Sequence, residues 1–292
     1  MDSSNGAQQT IDDFRDFGQG AHIDVVRAAL DDNREWLLKA PVCKTLSHHN
    51  ILHVAVMKAG EGLSVSRAEQ SGTFMFACTK GQGMVLADGR WKRVKAGEAC
   101  LLPPFVGNAF KAIEGKEWEF CWVRYIESKE TKPIVSEISP VRGEFDGWAL
   151  KHAILGLHAE CEGPNSAAMS HLWTELIHQY VLSFAQPHES DDRMWKVWNV
   201  VEQHLDKDWT LADLAQLACV SEEHLRRLCN KQLGRSPIQH LTFLRMQRAS
   251  NQLSTTNAKI ENIAKSVGYS SAFHFSNVFR KWVGCRPSEH RR

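Results

Sequence analysis

Short apolar runs separated by turn residues fill the chain between about residues 45 and 127. Two of them, at 51–56 and 73–77, are rich in the β-branched and aromatic residues that favour strands. The dipeptide Asp88-Gly89, between two such runs, is typical of a tight hairpin turn. Strands and turns that alternate so regularly predict an antiparallel sandwich or barrel. A closed sheet of this kind encloses a small lined cavity in which ligands bind.

The hydrophobic period changes near residue 145, where apolar side chains recur at steps of three and four, as on one face of a helix. The residues of this face are Met169, Leu172, Trp173, Leu176, Tyr180 and Phe184. The face either packs on its own domain or forms a dimer seam, where tyrosine and tryptophan are common anchors. Pro187 stops the helix. We therefore predict an α+β chain of two domains, at 1–185 and 192–292, joined by a linker at 186–191.

The second domain carries a weak internal repeat of two helices and a turn. In the first copy, a helix at 211–218 is followed by an N-cap at Ser221 and a second helix that ends at Gly234. In the second copy, we expect the corresponding cap at Ser270 and the end of the helix at Gly284. The second copy is then one residue longer, with 14 steps from cap to glycine against 13. The repeat predicts two helix-turn-helix units.

The charge distribution indicates what these units bind. The whole chain has 35 Lys+Arg and 34 Asp+Glu, and this near-neutral total by itself argues against a uniformly basic nucleic-acid coat. From residue 225 to the end, however, there are 13 basic and only 2 acidic residues. Such a surplus suits phosphate contacts, and arginine and asparagine on a protruding helix suit bases in the major groove. The second domain is therefore predicted to bind DNA.

The motifs of this domain resemble the AraC/XylS family of transcription regulators, in which a linker helix joins two helix-turn-helix units. The matching motifs are Leu225-Arg226-Arg227-Leu228, Leu233-Gly234-Arg235-Ser236-Pro237, Ile263-Ala264, Val267-Gly268-Tyr269 and Phe279-Arg280-Lys281. The resemblance implies that Glu223, Arg226 and Arg227 contact bases. It places His274, Ser276 and Asn277 on the corresponding second helix. Polar neighbours that complete the candidate DNA-binding set are His224, Asn230, Lys231, Arg280 and Lys281.

The first domain resembles the cupin-type effector barrel of the arabinose-regulator branch of this family. The matching motifs are Gly81-Gln82-Gly83-Met84-Val85, Ala96-Gly97-Glu98-Ala99, Leu101-Leu102-Pro103-Pro104, Glu117-Trp118 and Trp122-Val123. The resemblance implies that the Trp122 indole stacks on a bound sugar and that Arg67 hydrogen-bonds it. Phe110 and Phe120, where that branch has polar tyrosine and histidine, complete the candidate effector site. The alternative is that Trp118 and Trp122 only fill the core.

Other chemistry finds little support in the sequence. The eight cysteines are scattered and indicate buried free thiols, and the 14 histidines include no H-E-x-x-H pair. We expect no catalytic residue, no metal site and no cofactor. A membrane span and a secretory signal are not expected, which favours the cytoplasm. A cupin enzyme or a DNA-repair alkyl transferase with a DNA-binding tail is the alternative class, but its metal ligands or activated cysteine are not evident.

Together these observations predict a sequence-specific DNA-binding regulator, an activator that responds to a small-molecule effector, with a sugar as the implied class. The expected partners are double-stranded DNA, the effector, a second copy of the chain in a homodimer, and RNA polymerase. A barrel that serves only for dimerisation is the second interpretation. The predicted architecture is a cupin-like β-barrel with C-terminal helices, followed by two helix-turn-helix units joined by a linker helix at 237–253.

Overall fold

The sheet predicted for the first domain is present, and its named strands all pair in the antiparallel sense. The computed structural model describes residues 14–29, 34–67, 72–104, 106–127, 134–136, 139–186 and 192–291. Its strands are β1 (Phe14–Asp16), β2 (His22–Arg27), β3 (Ile51–Lys58), β4 (Ser64–Arg67), β5 (Phe74–Ala87), β6 (Arg90–Lys95), β7 (Glu98–Leu102), β8 (Asn108–Ala112), β9 (Trp118–Tyr125) and β10 (Arg142–Glu144). The main path runs β1-β4-β8-β5-β9-β3-β2, while β6 and β7 pair with β5 and β10 pairs with β7. Short 3-10 helices at Glu35–Leu37 and Lys44–His49 precede β3.

Strand β5 bends the sheet into a curl. Its first half pairs with β7 and β9 and its second half with β6 and β8. The segment Lys80-Gly81-Gln82-Gly83 has the glycines of a turn, and reading it as a turn is wrong, because the strand continues through it. The register shifts between Cys78 and Lys80, Gly81 has φ +68°, and the Trp118 ring lies directly on Gly83. The Asp88-Gly89 hairpin is confirmed, with φ values of +54° and +65° that match a primed turn.

The two faces of the sheet bury different groups because side chains alternate along each strand. One face holds an aromatic cluster built on Phe74, Phe76, Phe110, Trp118, Phe120 and Trp122. The other face, through residues such as Val54 and Val123, packs against Leu150, Ile154 and Ile177 of the following helices.

Nine α-helices lie in the described part of the chain. They are α1 (Gly147–Glu162), α2 (Ala167–Ala185), α3 (Asp192–Gln203), α4 (Leu211–Leu217), α5 (Glu222–Leu233), α6 (Pro237–Thr255), α7 (Ile260–Ser266), α8 (Ala272–Val283) and α9 (Pro287–His290). Helices α4–α5 and α7–α8 are the two predicted helix-turn-helix units, and α6 is the linker helix. The predicted two-part architecture is therefore confirmed, whereas the predicted linker lies almost wholly outside the described residues.

Two details differ from the sequence-based expectation. The N-cap of α8 is Ser271, not Ser270: the Ser271 hydroxyl accepts from the His274 amide at 3.3 Å. Helices α5 and α8 then both have 12 residues, and the extra residue of the second copy lies in its turn. Cys219 is exposed in the turn of the first unit, with φ +53°, so it is not a buried thiol.

Candidate DNA interface and effector site

The N-terminal half of α5 presents the predicted base-contacting residues to solvent. Its core face buries Leu225, Cys229 and Leu233, while Glu223, Arg226 and Arg227 are exposed. Arg226 lies 3.4 Å from Glu222 and 3.6 Å from Glu223, and Arg227 lies 2.8 Å from the His224 ring nitrogen. Exposed ion pairs such as those of Arg226 contribute little free energy, so this guanidinium can exchange them for phosphate or base contacts at small cost.

Helix α8 also buries one face and exposes the other, but its exposed side chains differ from those of α5. Phe275, Phe279 and Val283 are buried, whereas His274 and Asn277 are exposed. The Ser276 hydroxyl donates to the Ala272 carbonyl within its own helix at 2.8 Å. Phe273, which the sequence analysis did not select, directly precedes His274 and is 79% exposed. Counting back 11 positions from the C-cap glycine of each helix, Gly234 and Gly284, pairs Phe273 with Glu223 and would have drawn attention to it.

Helices α5 and α8 both end against the sheet part of the molecule, β1 to α2. The Val141 amide donates to the Leu233 carbonyl at 3.0 Å, and the Gly107 amide donates to the Val283 carbonyl at 2.6 Å. These carbonyls lie in the last turns of α5 and α8, where a helix offers no partner of its own. A helix of 12 residues is about 18 Å long. The N-terminal turns of both helices are therefore held away from the sheet.

The remaining predicted DNA-binding residues lie nearer this junction. Asn230 and Lys231 line a cleft of about 400 Å³ between the end of α5 and the sheet part. Lys281 lies beside the β5–β6 hairpin, and its carbonyl is so close to Gly89 that a side chain there would collide with it. The structure therefore separates the predicted set into an outer group at the N-terminal turns and an inner group beside the sheet.

A buried ion pair joins the sheet part to the helices that follow it, α3 to α9. Arg235 follows the C-cap of α5, and its guanidinium donates to both carboxylate oxygens of Asp88 at 2.8 and 2.9 Å. Lys92 Nζ lies 2.9 Å from the same carboxylate, and the Arg235 guanidinium packs over the Phe243 ring of α6 at 3.8 Å. Burial alone would raise the pKa of Asp88, but the charges and hydrogen bonds of Arg235 and Lys92 outweigh it and lower the pKa to about 2.

The four predicted effector-site residues lie together inside the sheet. The Arg67 guanidinium is 5.2 Å from the Phe110 ring centroid, and Phe120 lies 5.8 Å from both Phe110 and Trp122. Phe110, Phe120 and Trp122 are 4%, 1% and 3% exposed. The site is thus a continuous aromatic wall with a guanidinium against it, a combination suited to a ligand with an apolar face and polar edges.

His53, which the sequence analysis did not select, belongs to this wall. Its Nδ1 accepts a hydrogen bond from the Trp122 indole at 3.0 Å, and its ring lies 5.2 Å from Trp36. Burial and the positive charges of nearby arginines, among them Arg34 and Arg67, hold the pKa of His53 well below its ordinary value. His53 is therefore neutral and fixes the orientation of the Trp122 ring. Only the fold could bring it to the site, because β3 and β9 are far apart in sequence.

Neither a metal site nor a membrane-spanning helix is found in the described part of the chain. The described residues contain no group of three or more His, Cys, Asp or Glu side chains that could hold a metal ion. Nor is any helix among them both long and apolar enough to cross a membrane.

Comparison with known proteins agrees with this geometry. Residues 58–178 match the model of the AraC-like ligand binding domain, and residues 214–292 match that of a helix-turn-helix domain. The chain belongs to the AraC family of transcription regulators. Like other AraC-family regulators, it combines an effector-binding domain with a DNA-binding helix-turn-helix domain.

Curated relatives include regulators of sugar operons. The raffinose operon transcriptional regulatory protein RafR of Pediococcus pentosaceus is 25% identical, over 68% of this chain and 76% of its own length. The arabinose operon regulatory protein of Escherichia coli K12 is 34% identical, over 35% of each chain. Among solved structures, the C-terminal domain of AraT from Geobacillus stearothermophilus matches with 32% identity and a TM-score of 0.34, over 36% of this chain and 87% of that one.

Proposed function

We propose that this AraC-family regulator contacts two successive stretches of the major groove with the N-terminal halves of α5 and α8. The observation that carries this proposal is the shared orientation of the two helices: each ends on the sheet part and leaves its first turns exposed. Recognition helices contact base edges with their N-terminal residues. Glu223, Arg226 and Arg227 would act from α5, and His274, Ser276 and Asn277 from α8, with the inner group near phosphates.

The test is sequence-specific binding by the full chain. Arg226→Ala and Arg227→Ala should each weaken binding to a selected operator by about 1–3 kcal/mol and relax the preference at one base pair. Arg248→Ala is the matched control, because Arg248 is 45% exposed and lies 3.4 Å from Glu202, much like Arg226 and Glu222. The control should leave base preference unchanged. If both arginine variants keep the wild-type preference, the assignment is wrong.

The effector is proposed to be a small molecule bound at the aromatic wall, with a sugar as the first class to test. Arg67 would donate to hydroxyl groups and Trp122 would pack on the apolar face of a pyranose ring. Regulation of raffinose and arabinose operons by relatives supports this class. Tryptophan fluorescence against a panel of sugars tests it, and the change should be absent in Trp122→Phe. A response that Trp122→Phe retains would place the ligand elsewhere.

A second interpretation keeps the regulator but gives the barrel no ligand. The 3% exposure of Trp122 and its hydrogen bond to His53 favour this reading of the residue as structural. The two interpretations differ in one measurement: a stable protein that binds its operator identically with every sugar in the panel supports a barrel used only for assembly.

Assembly is proposed to be a homodimer formed through α2. Met169, Leu172 and Leu176 are 41%, 60% and 39% exposed on one side of this helix, and Trp148 of α1 is 50% exposed. Exposed apolar side chains at helical spacing are suited to a partner helix. Sedimentation of the full chain should give a dimer.

Regulation is proposed to follow the two strands that connect the site to the DNA-binding units. Strand β5 carries Phe74 in the aromatic wall and leads to Asp88, while β8 carries Phe110 and follows Gly107. A ligand that favours one arrangement of the wall then biases how α5 and α8 are held. We propose that the protein activates transcription through contact with RNA polymerase and that it has no enzymatic activity. We also propose that it acts on DNA in the cytoplasm. Transcription reconstituted with purified polymerase tests the sign.

A further inference from the structure

Phe273 is the most exposed large apolar residue in the described part of the chain, with 79% of its surface accessible. It is the second residue of α8, immediately after Ala272 and two positions beyond the N-cap Ser271. The other two phenylalanines of this helix, Phe275 and Phe279, are fully buried. Residues two positions apart in a helix are rotated by about 200° around its axis, so Phe273 lies on the side of the helix opposite to Phe275.

The internal repeat shows which residue of α5 corresponds to Phe273. With Ser271 as the cap, α8 aligns with α5 residue by residue, and the offset is 50 positions from Ser221/Ser271 to Gly234/Gly284. Phe273 is then the counterpart of Glu223, whose side chain is 85% exposed on the first recognition helix. Ser276 and Asn277 become the counterparts of Arg226 and Arg227. The second unit therefore presents an aromatic ring where the first presents a carboxylate.

An aromatic ring has a specific apolar partner in the major groove. The C5-methyl group of thymine is the apolar group that base edges present there, and phenylalanine is among the side chains that contact it. A carboxylate at the equivalent position of α5 would instead accept from a cytosine amino group. We infer that Phe273 is a specificity-determining residue that selects a thymine by contact with its methyl group, so that the two units recognise different sequences. This inference rests on the proposed DNA-binding function of α8.

The test removes one methyl group from the DNA. The full chain first selects its operator from a random library, and each thymine is then replaced by deoxyuridine, which lacks only the C5-methyl. At one position, wild-type affinity should fall about fourfold, as expected for the loss of one buried methyl. Phe273→Ala should bind the thymine and deoxyuridine operators equally. Because Phe273 is exposed, this substitution leaves the core of α8 intact, which circular dichroism verifies.

Two control variants sharpen the result. Phe273→Leu keeps an apolar side chain and should retain part of the methyl dependence. Leu38→Ala removes a side chain that is 54% exposed in the sheet part, and should leave the deoxyuridine profile as in the wild type. Placing 5-methylcytosine at the same position should recover part of the affinity lost with cytosine, and only when Phe273 is present.

The outcomes separate this inference from the proposed function. Specific operator binding with no methyl dependence at any position, or with a dependence that Phe273→Ala retains, overturns the role of Phe273 and leaves DNA recognition standing. Loss of transcription in Phe273→Ala with an unchanged deoxyuridine profile also overturns it, since the ring would then contact a protein. Failure to select any sequence contradicts the proposed function and this inference with it.

Discussion

Asp88→Asn should loosen the junction between the sheet part and the DNA-binding helices. The substitution keeps the shape of the side chain but removes the negative charge that faces Arg235, whose side chain is only 1% exposed. The pair spans 147 residues of sequence and lies between the β5–β6 hairpin and the start of α6. Among the described residues, no other acidic group forms an ion pair with Arg235, so the charge of Arg235 would remain buried without compensation.

The size of the effect can be bounded in two ways. Asp88 has its pKa lowered from 3.8 to about 2, which corresponds to about 2 kcal/mol of stabilisation by the folded structure. Removing one partner of a buried pair that stays buried costs about 3–5 kcal/mol. Opening the junction would let water reach Arg235 and relieve the penalty, so we expect the free energy of opening to fall by about 2 kcal/mol and by no more than about 5 kcal/mol.

The pH dependence has a defined sign. A carboxylate with a depressed pKa contributes its stabilisation above the unfolded value of 3.8 and loses it as the pH falls through the folded value of about 2. The difference in stability between wild type and Asp88→Asn should therefore be constant from pH 7 to pH 5. It should shrink to about half at pH 3.

Hydrogen exchange of two amides measures the junction directly. The amides of Gly107 and Val141 donate to the last turns of α8 and α5, so their protection reports that the parts are joined. In Asp88→Asn at neutral pH, they should exchange on the order of 30-fold faster. The core amide of Met75 should be unchanged. Asp24→Asn, which removes a surface carboxylate 3.2 Å from His22, is the control. Unchanged exchange at both junction amides in Asp88→Asn would refute the reasoning.

Three other changes have defined outcomes. Gly234→Ala forces a side chain into a left-handed backbone at φ +66° and against the Arg142 carbonyl. Thermal unfolding should show that the free energy of unfolding falls by more than about 1 kcal/mol. An unaltered Tm would contradict the close approach. Wild-type His53 is protonated only after unfolding, so the free energy of unfolding should fall below pH 6.5, and His53→Asn should abolish this fall. Denaturant titrations at pH 7 and pH 5 measure the effect. An equal change in the free energy of unfolding between these pH values in both proteins would show that His53 is not the source. Leu172→Glu should shift sedimentation from dimer to monomer, and a variant that remains dimeric places the seam elsewhere.

Local patterns in the sequence predicted most of the architecture. The helix-turn-helix units follow from caps, terminal glycines and amphipathic periods that span only a few residues. The strands follow from apolar alternation, and the Asp88-Gly89 turn from its own dihedral preferences. The error at Gly81 has a physical cause: a glycine that bends one long strand carries the same signal as a glycine that ends it.

The contacts that depend on tertiary packing could not be predicted. Asp88 was interpreted only as a turn residue, since its partner Arg235 lies in another domain. His53 enters the aromatic wall through strand pairing, which no local pattern reports. Phe273 was overlooked because a phenylalanine in an amphipathic helix is usually a core residue, and the misplaced cap put the two copies one residue out of register.

The central claim is that α5 and α8 recognise a specific DNA sequence with their exposed N-terminal halves. Fluorescence anisotropy of the full chain with its selected operator and a scrambled duplex, over a range of salt concentrations, tests it most directly. The account predicts operator binding at least about 1,000-fold tighter than scrambled binding, with strong salt dependence and a loss of that preference in Arg226→Ala combined with Arg227→Ala. Equal affinity for both duplexes, or an undiminished preference in the double variant, would contradict it.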